Sequence, residues 1–449
     1  MKRRTFVGAT GAAAAAHLWG SSPARSQGAR AAASTGQERG NAGTAPGAAS
    51  QFFTDGDFNY IFLGTIGPAY YHLADVGACF AIADEIEDGD SASAVAAFTA
   101  AGDRLADIAA RAAAAGDLVS ARQAYFQASN YTFAATYFVD GMGASDRFAP
   151  LWRRHQELWD DGGALLDPAL EHVRIPYEDT TLPGYVFKVD HSGRPRPLLI
   201  FNNGSDGGMP NAVWPWGGAP GIERGYNVLT FYGPGQGLAL VDQDLHFRPD
   251  WEKVITPVVD YALTRGDVDP RRVALMGVSQ GGYWVPRALA FEHRLAAAIA
   301  DPGVWDVSTA WLEHIPAELR ELLAAGQKTE FDRAFDAGIR QNPKQAAQYT
   351  FRSRPYGLTS PYDVYKAVEE YTLAGVVQHI RTPMFISDPE DEQFWPGQSQ
   401  KLYDALTGPK KLVRFTAAEG ANLHCEVMAP GLRAQRMFDW LDATLTGKR

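Results

Sequence analysis

Cysteine is the first shortage. Only Cys79 and Cys425 occur in 449 residues, far apart in the chain. Two such residues cannot build a disulfide framework or a cysteine metal cluster. Positive charge is the second. The formal net charge is -11, and no Lys/Arg-rich tract follows the N-terminus. A basic nucleic-acid surface is thereby excluded. Long apolar runs are also missing. The N-terminal Ala/Gly/Val run is too short and glycine-rich to span a bilayer, so no stable membrane span is expected in the mature chain. At 46% hydrophobic residues, the chain still has material for a substantial core.

The N-terminus, "MKRRTFVGATGAAAAAHLWG", is read as a targeting segment. Arg3 and Arg4 stand together before Thr5, Phe6 and Val7, which resembles a twin-arginine export signal. Residues 1–30 are assigned to it, with a periplasmic or secreted destination. Residues 31–50 read as a flexible linker rich in small residues. Residues 51–170 are mainly helical, with alanine-rich stretches and apolar positions recurring at three and four. Gly116 with Asp117 marks a break between helices. The aromatics from Tyr125 to Phe138 are expected to be chiefly core.

Residues 171–449 change character. Short apolar runs such as "RPLLIFNNG", "YNVLTFYGPGQG", "RRVALMG", "LAAAIADPG" and "TPMFISD" alternate with helical spacing. That alternation implies an α/β domain with a mostly parallel central sheet covered on both faces. Ligands bind at the carboxyl ends of such strands. The stretch from about 307 to 375 interrupts the rhythm and is read as a helical cap insertion.

Gly277-Val278-Ser279-Gln280-Gly281 fits G-x-S-x-G, between a strand and a helix. A lone pentapeptide is weak evidence, and a polar turn is its plain alternative. Its context is stronger, because small neighbours allow a sharp bend that presents the Ser279 hydroxyl above the sheet. A hydroxyl needs a base. Among ten histidines, His424 follows the last strand and enters the last helix, where its loop can return to Ser279. The base needs an orienting acid. The run "ISDPEDEQFWPG" offers Asp388, Glu390, Asp391 and Glu392; Asp391 is expected, with Asp388 next. The run lacks cation-loop spacing, so no metal is expected. Oxyanion donors are expected at the Gln280 N–H and near Ser205 and Asp206, in the loop after "RPLLIFNN". "GPGQG" lacks a Gly-Lys-Ser/Thr ending, which argues against nucleotide binding. No cofactor is expected. Trp214, Trp216, Trp284, Phe394 and Trp395 are candidate walls of an apolar pocket for a small-molecule substrate.

The order Ser279, Asp391, His424, with the stretches "ARQAYFQASNYTFAATYF", "GVSQGGYWVPRALAFE", "DEQFWPGQSQKLYDAL" and "EGANLHC", resembles the α/β-hydrolase superfamily. More narrowly, the chain is similar to the 2,6-dihydroxypseudooxynicotine hydrolase-like and FrsA-like serine hydrolases over roughly residues 57–445. The resemblance implies an α/β-hydrolase fold with an N-terminal helical region over the site. It implies hydrolysis of an ester, or of a carbon–carbon bond beside a ketone. Such relatives often form homodimers, an option left open here. An extra carboxylate used by some relatives has no motif match. Two other readings stand beside this one: an exported exopeptidase-like hydrolase, and a non-catalytic binding protein retaining the fold. Amide turnover would favour the first; failure of Ser279 to react with a fluorophosphonate would favour the second.

Overall fold

The computed structural model describes residues 52–446. The expected signal and the whole of the expected linker lie outside them. Eight strands form one sheet: β1 Glu171–Tyr177, β2 Thr180–Phe187, β3 Arg196–Asn202, β4 Asn227–Phe231, β5 Val268–Val278, β6 Ala297–Asp301, β7 Met384–Pro389 and β8 Lys410–Phe415. Their spatial order is β1-β2-β4-β3-β5-β6-β7-β8. β1 and β2 pair antiparallel, as do β2 and β4, and every other pairing is parallel. This is the α/β-hydrolase arrangement.

The central strands are apolar on both faces because helices cover both sides. Successive side chains alternate between two cores. Leu199 and Phe201 of β3, with Ala274, Met276 and Val278 of β5, join the core under the N-terminal helices. Leu198 and Ile200, with Val273 and Leu275, join the core shared with helices Glu252–Thr264 and Gly281–Leu289 and with the insertion. The two layers are thus separated by the sheet, and the insertion reaches the N-terminal helices beyond the strand ends.

Among the described residues, five longer helices precede the sheet: Gly56–Ile66, Val76–Asp84, Ser91–Ala115, Leu118–Ala135 and Phe148–Gly163. Local chemistry sets several boundaries. Asp55 accepts the amides of Asp57 and Phe58, and Asp90 accepts those of Ala92 and Ser93. Gly116 at φ 85° ends the third helix in the left-handed region. Five helices between β6 and β7, from Thr309 to Val368, make the insertion. A π-helical segment, Met209–Gly218, follows the β3 loop; the sequence reading had no helix there. No helix among the described residues is long and apolar enough to cross a membrane.

His155, in helix Phe148–Gly163, is wholly buried beside Ser129, whose Oγ lies 3.1 Å from Nδ1. Its Nε2 has no hydrogen-bond partner among the described residues. Burial pushes its imidazole down from 6.5 to about 3. The unfolded chain therefore takes up a proton below pH 6.5 that the folded chain refuses until about pH 3. Stability is lost as pH falls through that window, by about 2 kcal/mol at pH 5 from this group. Denaturant midpoints at pH 7.5 and 5 should show that slope, and His155→Gln should flatten it.

Candidate active site

β5 ends at Val278, and the chain turns sharply into helix Gly281–Leu289. Ser279 carries the bend at φ 56°, a left-handed conformation costly for any residue with a Cβ. Its amide donates to the Asp301 carbonyl at the end of β6, at 2.6 Å. Helix and neighbouring loop then press together: a Cβ on Gly282 would lie 1.8 Å from the Pro302 carbonyl oxygen. The Gln280 amide follows Ser279 at the helix N-terminus, the position expected of an oxyanion donor.

His424 comes from the loop after β8. It is 3% exposed, and its Nε2 lies 2.9 Å from Ser279 Oγ. The expected nucleophile and base are therefore brought together from positions 145 residues apart. The acid differs from the expectation. Asp391 does not face the imidazole: it is exposed, its amide donates to the Asn422 carbonyl, and Asn422 Nδ2 donates to its Oδ2 at 2.6 Å. Asp388 still belongs to β7 and pairs with Arg414 at 2.6 Å. Glu392, one residue beyond Asp391, turns inward. His424 Nδ1 lies 2.8 and 2.9 Å from its two carboxylate oxygens. The physical reason is reach and direction. The turn after β7 sends residue 391 to solvent and residue 392 to the interior, and the longer glutamate side chain spans the gap.

Burial pushes the Glu392 carboxyl up, but the His424 imidazole and the amides of Phe394 and Trp395 outweigh it. Its pKa settles below the ordinary carboxylate range. A group held ionised in this way donates its interaction to the fold only above the usual glutamate range, and the contribution is lost as pH falls. The contact with Glu392 fixes the imidazole tautomer: Nδ1–H points at the carboxylate, leaving Nε2 to accept from the serine. Tyr60 Oη donates to the His424 carbonyl at 3.3 Å, and the Phe394 ring meets the imidazole edge-on at 4.7 Å.

A buried arginine braces this loop from behind. Arg433, 1% exposed, donates to the carbonyls of Cys425, Glu426 and Pro215 and lies 3.5 Å from the centre of the Trp216 ring. Burial and the neighbouring Asp301 push the Glu426 carboxyl well above its ordinary value. Burial likewise pushes the Cys425 thiol up, so it is no competing nucleophile.

Ser205 and Asp206 lie in the loop after β3, directly after Gly204, which touches Ser279. A Cβ on Gly204 would stand 2.8 Å from Ser279 Cβ. Gln236 of the "GPGQG" stretch donates to the carbonyls of Asn203 and Gly204 at 2.8 and 2.7 Å. That stretch is thus a brace for the β3 loop, a role the sequence reading missed.

A cavity of about 370 Å³ lies between the N-terminal helices, the insertion and the strand ends, with Ser279 and His424 in its wall. Trp216, Phe394 and Trp395 line it, as expected. Trp214 does not: its ring packs on Phe126, Trp159 and Phe187, on the far side of the π-helical segment. Trp284 does not either. It is stacked on Trp251 at 4.2 Å in the opposite core, because its helix turns that face away from the strand ends. The sequence reading overlooked Tyr60, from the first described helix, and Arg352, from the insertion; Phe133 and Tyr137 came from the aromatic cluster read chiefly as core. Among the described residues, no group of three or more His, Cys, Asp or Glu side chains could hold a metal ion.

Two substitutions separate the acids. Glu392→Gln should lower kcat by about 10³–10⁴-fold, whereas Asp391→Asn should change it by less than about tenfold. Gly204→Ala should cost at least about 10²-fold in kcat, since its Cβ would displace the loop beside the serine. Steady-state kinetics on purified variants checks all three.

Known proteins resemble this chain along most of its length. The prolyl oligopeptidase family matches residues 254–343. Hydrolase LUC6 of a Fusarium species is 30% identical over 415 residues, covering 89% of this chain and 99% of that protein. The 20-hydroxy-prefusarin hydrolase FUS2 of Gibberella moniliformis is 29% identical over 413 residues, covering 88% and 98%. Among solved structures, the 2,6-dihydroxy-pseudo-oxynicotine hydrolase superposes with a TM-score of 0.67 at 19% identity, covering 85% of this chain and 96% of that one. Full-length relatives, the sheet order and the serine bend agree: the chain belongs to the α/β-hydrolase superfamily of serine hydrolases.

Proposed function

We propose that the protein hydrolyses a small, aromatic or otherwise apolar ester or ketone through a covalent acyl-enzyme. The observation that carries this reading is the continuous chain from Ser279 Oγ through His424 to Glu392, with contacts of 2.9 and 2.8 Å. His424 Nε2 takes the proton as Ser279 Oγ attacks the substrate carbonyl. Glu392 stabilises the imidazolium and stays ionised. The amides of Gln280 and of Ser205 or Asp206 receive the developing oxyanion. His424 then protonates the leaving group, an alkoxide from an ester or a carbanion from a β-diketone. Water activated by the same imidazole releases the acyl group. No cofactor takes part in this scheme.

The wall chemistry supports the substrate class. Phe58, Phe133, Phe351 and Trp395 supply apolar surface, and a volume of about 370 Å³ suits a small molecule better than a polymer. The prolyl oligopeptidase match keeps an exopeptidase-like activity as a second reading. A panel of aryl esters, β-diketones and aminoacyl arylamides separates the two. Turnover of esters or diketones without arylamides, an acyl adduct on Ser279 by intact mass, and loss of both in Ser279→Ala are the expected results. Arylamide turnover would transfer the assignment to the peptidase reading, and no fluorophosphonate labelling of folded protein would point to a binding protein.

The paired Arg3-Arg4 leader supports export of the folded chain to the periplasm or beyond. Arg3→Lys with Arg4→Lys should leave the protein in the cytoplasmic fraction of an expressing bacterium.

A further inference from the structure

Helix Pro343–Ser353 of the insertion roofs the cavity, yet none of its side chains is fully buried. Phe351 packs on Tyr137 and Phe148 and Tyr349 on Phe335, and one helical face also carries a polar row at positions i, i+4 and i+8. Lys344 Nζ reaches Asp55 at 2.6 Å and Asp57 at 3.2 Å. Gln348 Nε2 donates to Asp57. Arg352 Nη1 donates to Asp206 Oδ2 at 2.9 Å. The first two contacts join the helix to the N-terminal region. The third reaches the loop beside Ser279.

Arg352 meets both halves of the site. Its guanidinium lies 5.4 Å from the Phe394 ring centre, and that ring packs against His424. Asp206 is held a second time, by Tyr137 Oη donating to its carbonyl at 3.3 Å. The loop is therefore clamped from above by the insertion and by the N-terminal helices, while Gly204 seats it against Ser279. Arg352 and Asp206 side chains are 28% and 22% exposed, so their ion pair adds little to global stability. Its consequence is geometric.

We propose that Arg352 is a positioning residue: through Asp206 it sets the loop that supplies oxyanion donors, so that docking of the insertion helix completes the catalytic centre. The proposal rests on the serine-hydrolase reading above. It makes the insertion part of the catalytic apparatus as well as a roof. A substrate that leaves the helix undocked would bind and not react.

The test uses full-length protein and p-nitrophenyl butyrate. Arg352→Ala, Arg352→Lys, Asp206→Asn and the double variant Arg352→Ala/Asp206→Asn are compared with Ser279→Ala. Expected for Arg352→Ala and Asp206→Asn is a fall in kcat of at least about tenfold with KM changed by less than about threefold. Arg352→Lys should recover part of the loss. The double variant should be no worse than the worse single one, because both remove the same contact. Fluorophosphonate labelling of Ser279 should slow in parallel. Unchanged kcat, a rise in KM alone, or losses that multiply in the double variant would overturn the proposal. Asp206→Asn, nearly isosteric, decides the matter if Arg352→Ala does not fold. Turnover surviving in Ser279→Ala would instead overturn the hydrolase reading, whereas an inactive Ser279→Ala beside unaffected Arg352 and Asp206 variants would sink this inference alone.

Discussion

The imidazole of His424 sits almost out of water between a hydroxyl and a carboxylate, and the surrounding structure is organised to keep it there. A buried carboxylate such as Glu392 is costly unless several donors meet it. It has three, in the imidazole and the amides of Phe394 and Trp395. Two of those amides belong to the same turn that carries the acid, so the turn is built around its own charge. Arg433 does the equivalent for the base, tying the backbone after His424 to the Trp216 wall.

The sheet supplies the rigidity that such a contact needs. Parallel strands β3, β5, β6 and β7 end at one edge, and each contributes one element there: the loop of Ser205 and Asp206, the serine bend, the Asp301 carbonyl, and the turn of Glu392. Hydrogen bonds across strand ends, such as Ser279 N–H to Asp301, lock neighbouring loops in register. The N-terminal helices and the insertion then close over that edge. Together they form the walls of the cavity that Ser279 and His424 face.

Much of this was legible from residue order. The five apolar runs quoted from the sequence all fall on strands, and the G-x-S-x-G bend, Gly116 and the His424 loop lie where spacing placed them. What failed shares one cause. Choosing Asp391 over Glu392, or assigning Trp214 and Trp284 to the pocket, requires knowing which way a side chain points. In a turn or an irregular helix no fixed period supplies that direction. The π-helical segment shifts Trp214 and Trp216 to different environments, two residues apart. "DEQFW" did hold a signal for Glu392, since the acid nearest two large aromatics is the one drawn inward with them.

The sequence by itself determined the strand and helix alternation, the bend at Ser279 and the ordered appearance of serine, acid and histidine, because these depend on local periodicity and small-residue sterics. Only the tertiary structure decided that Glu392 is the acid facing His424, that Tyr60 and Arg352 enter the same cavity, and that Gln236 braces the β3 loop. Each of those relations joins segments dozens to hundreds of residues apart, and only packing of layer on layer sets their distance.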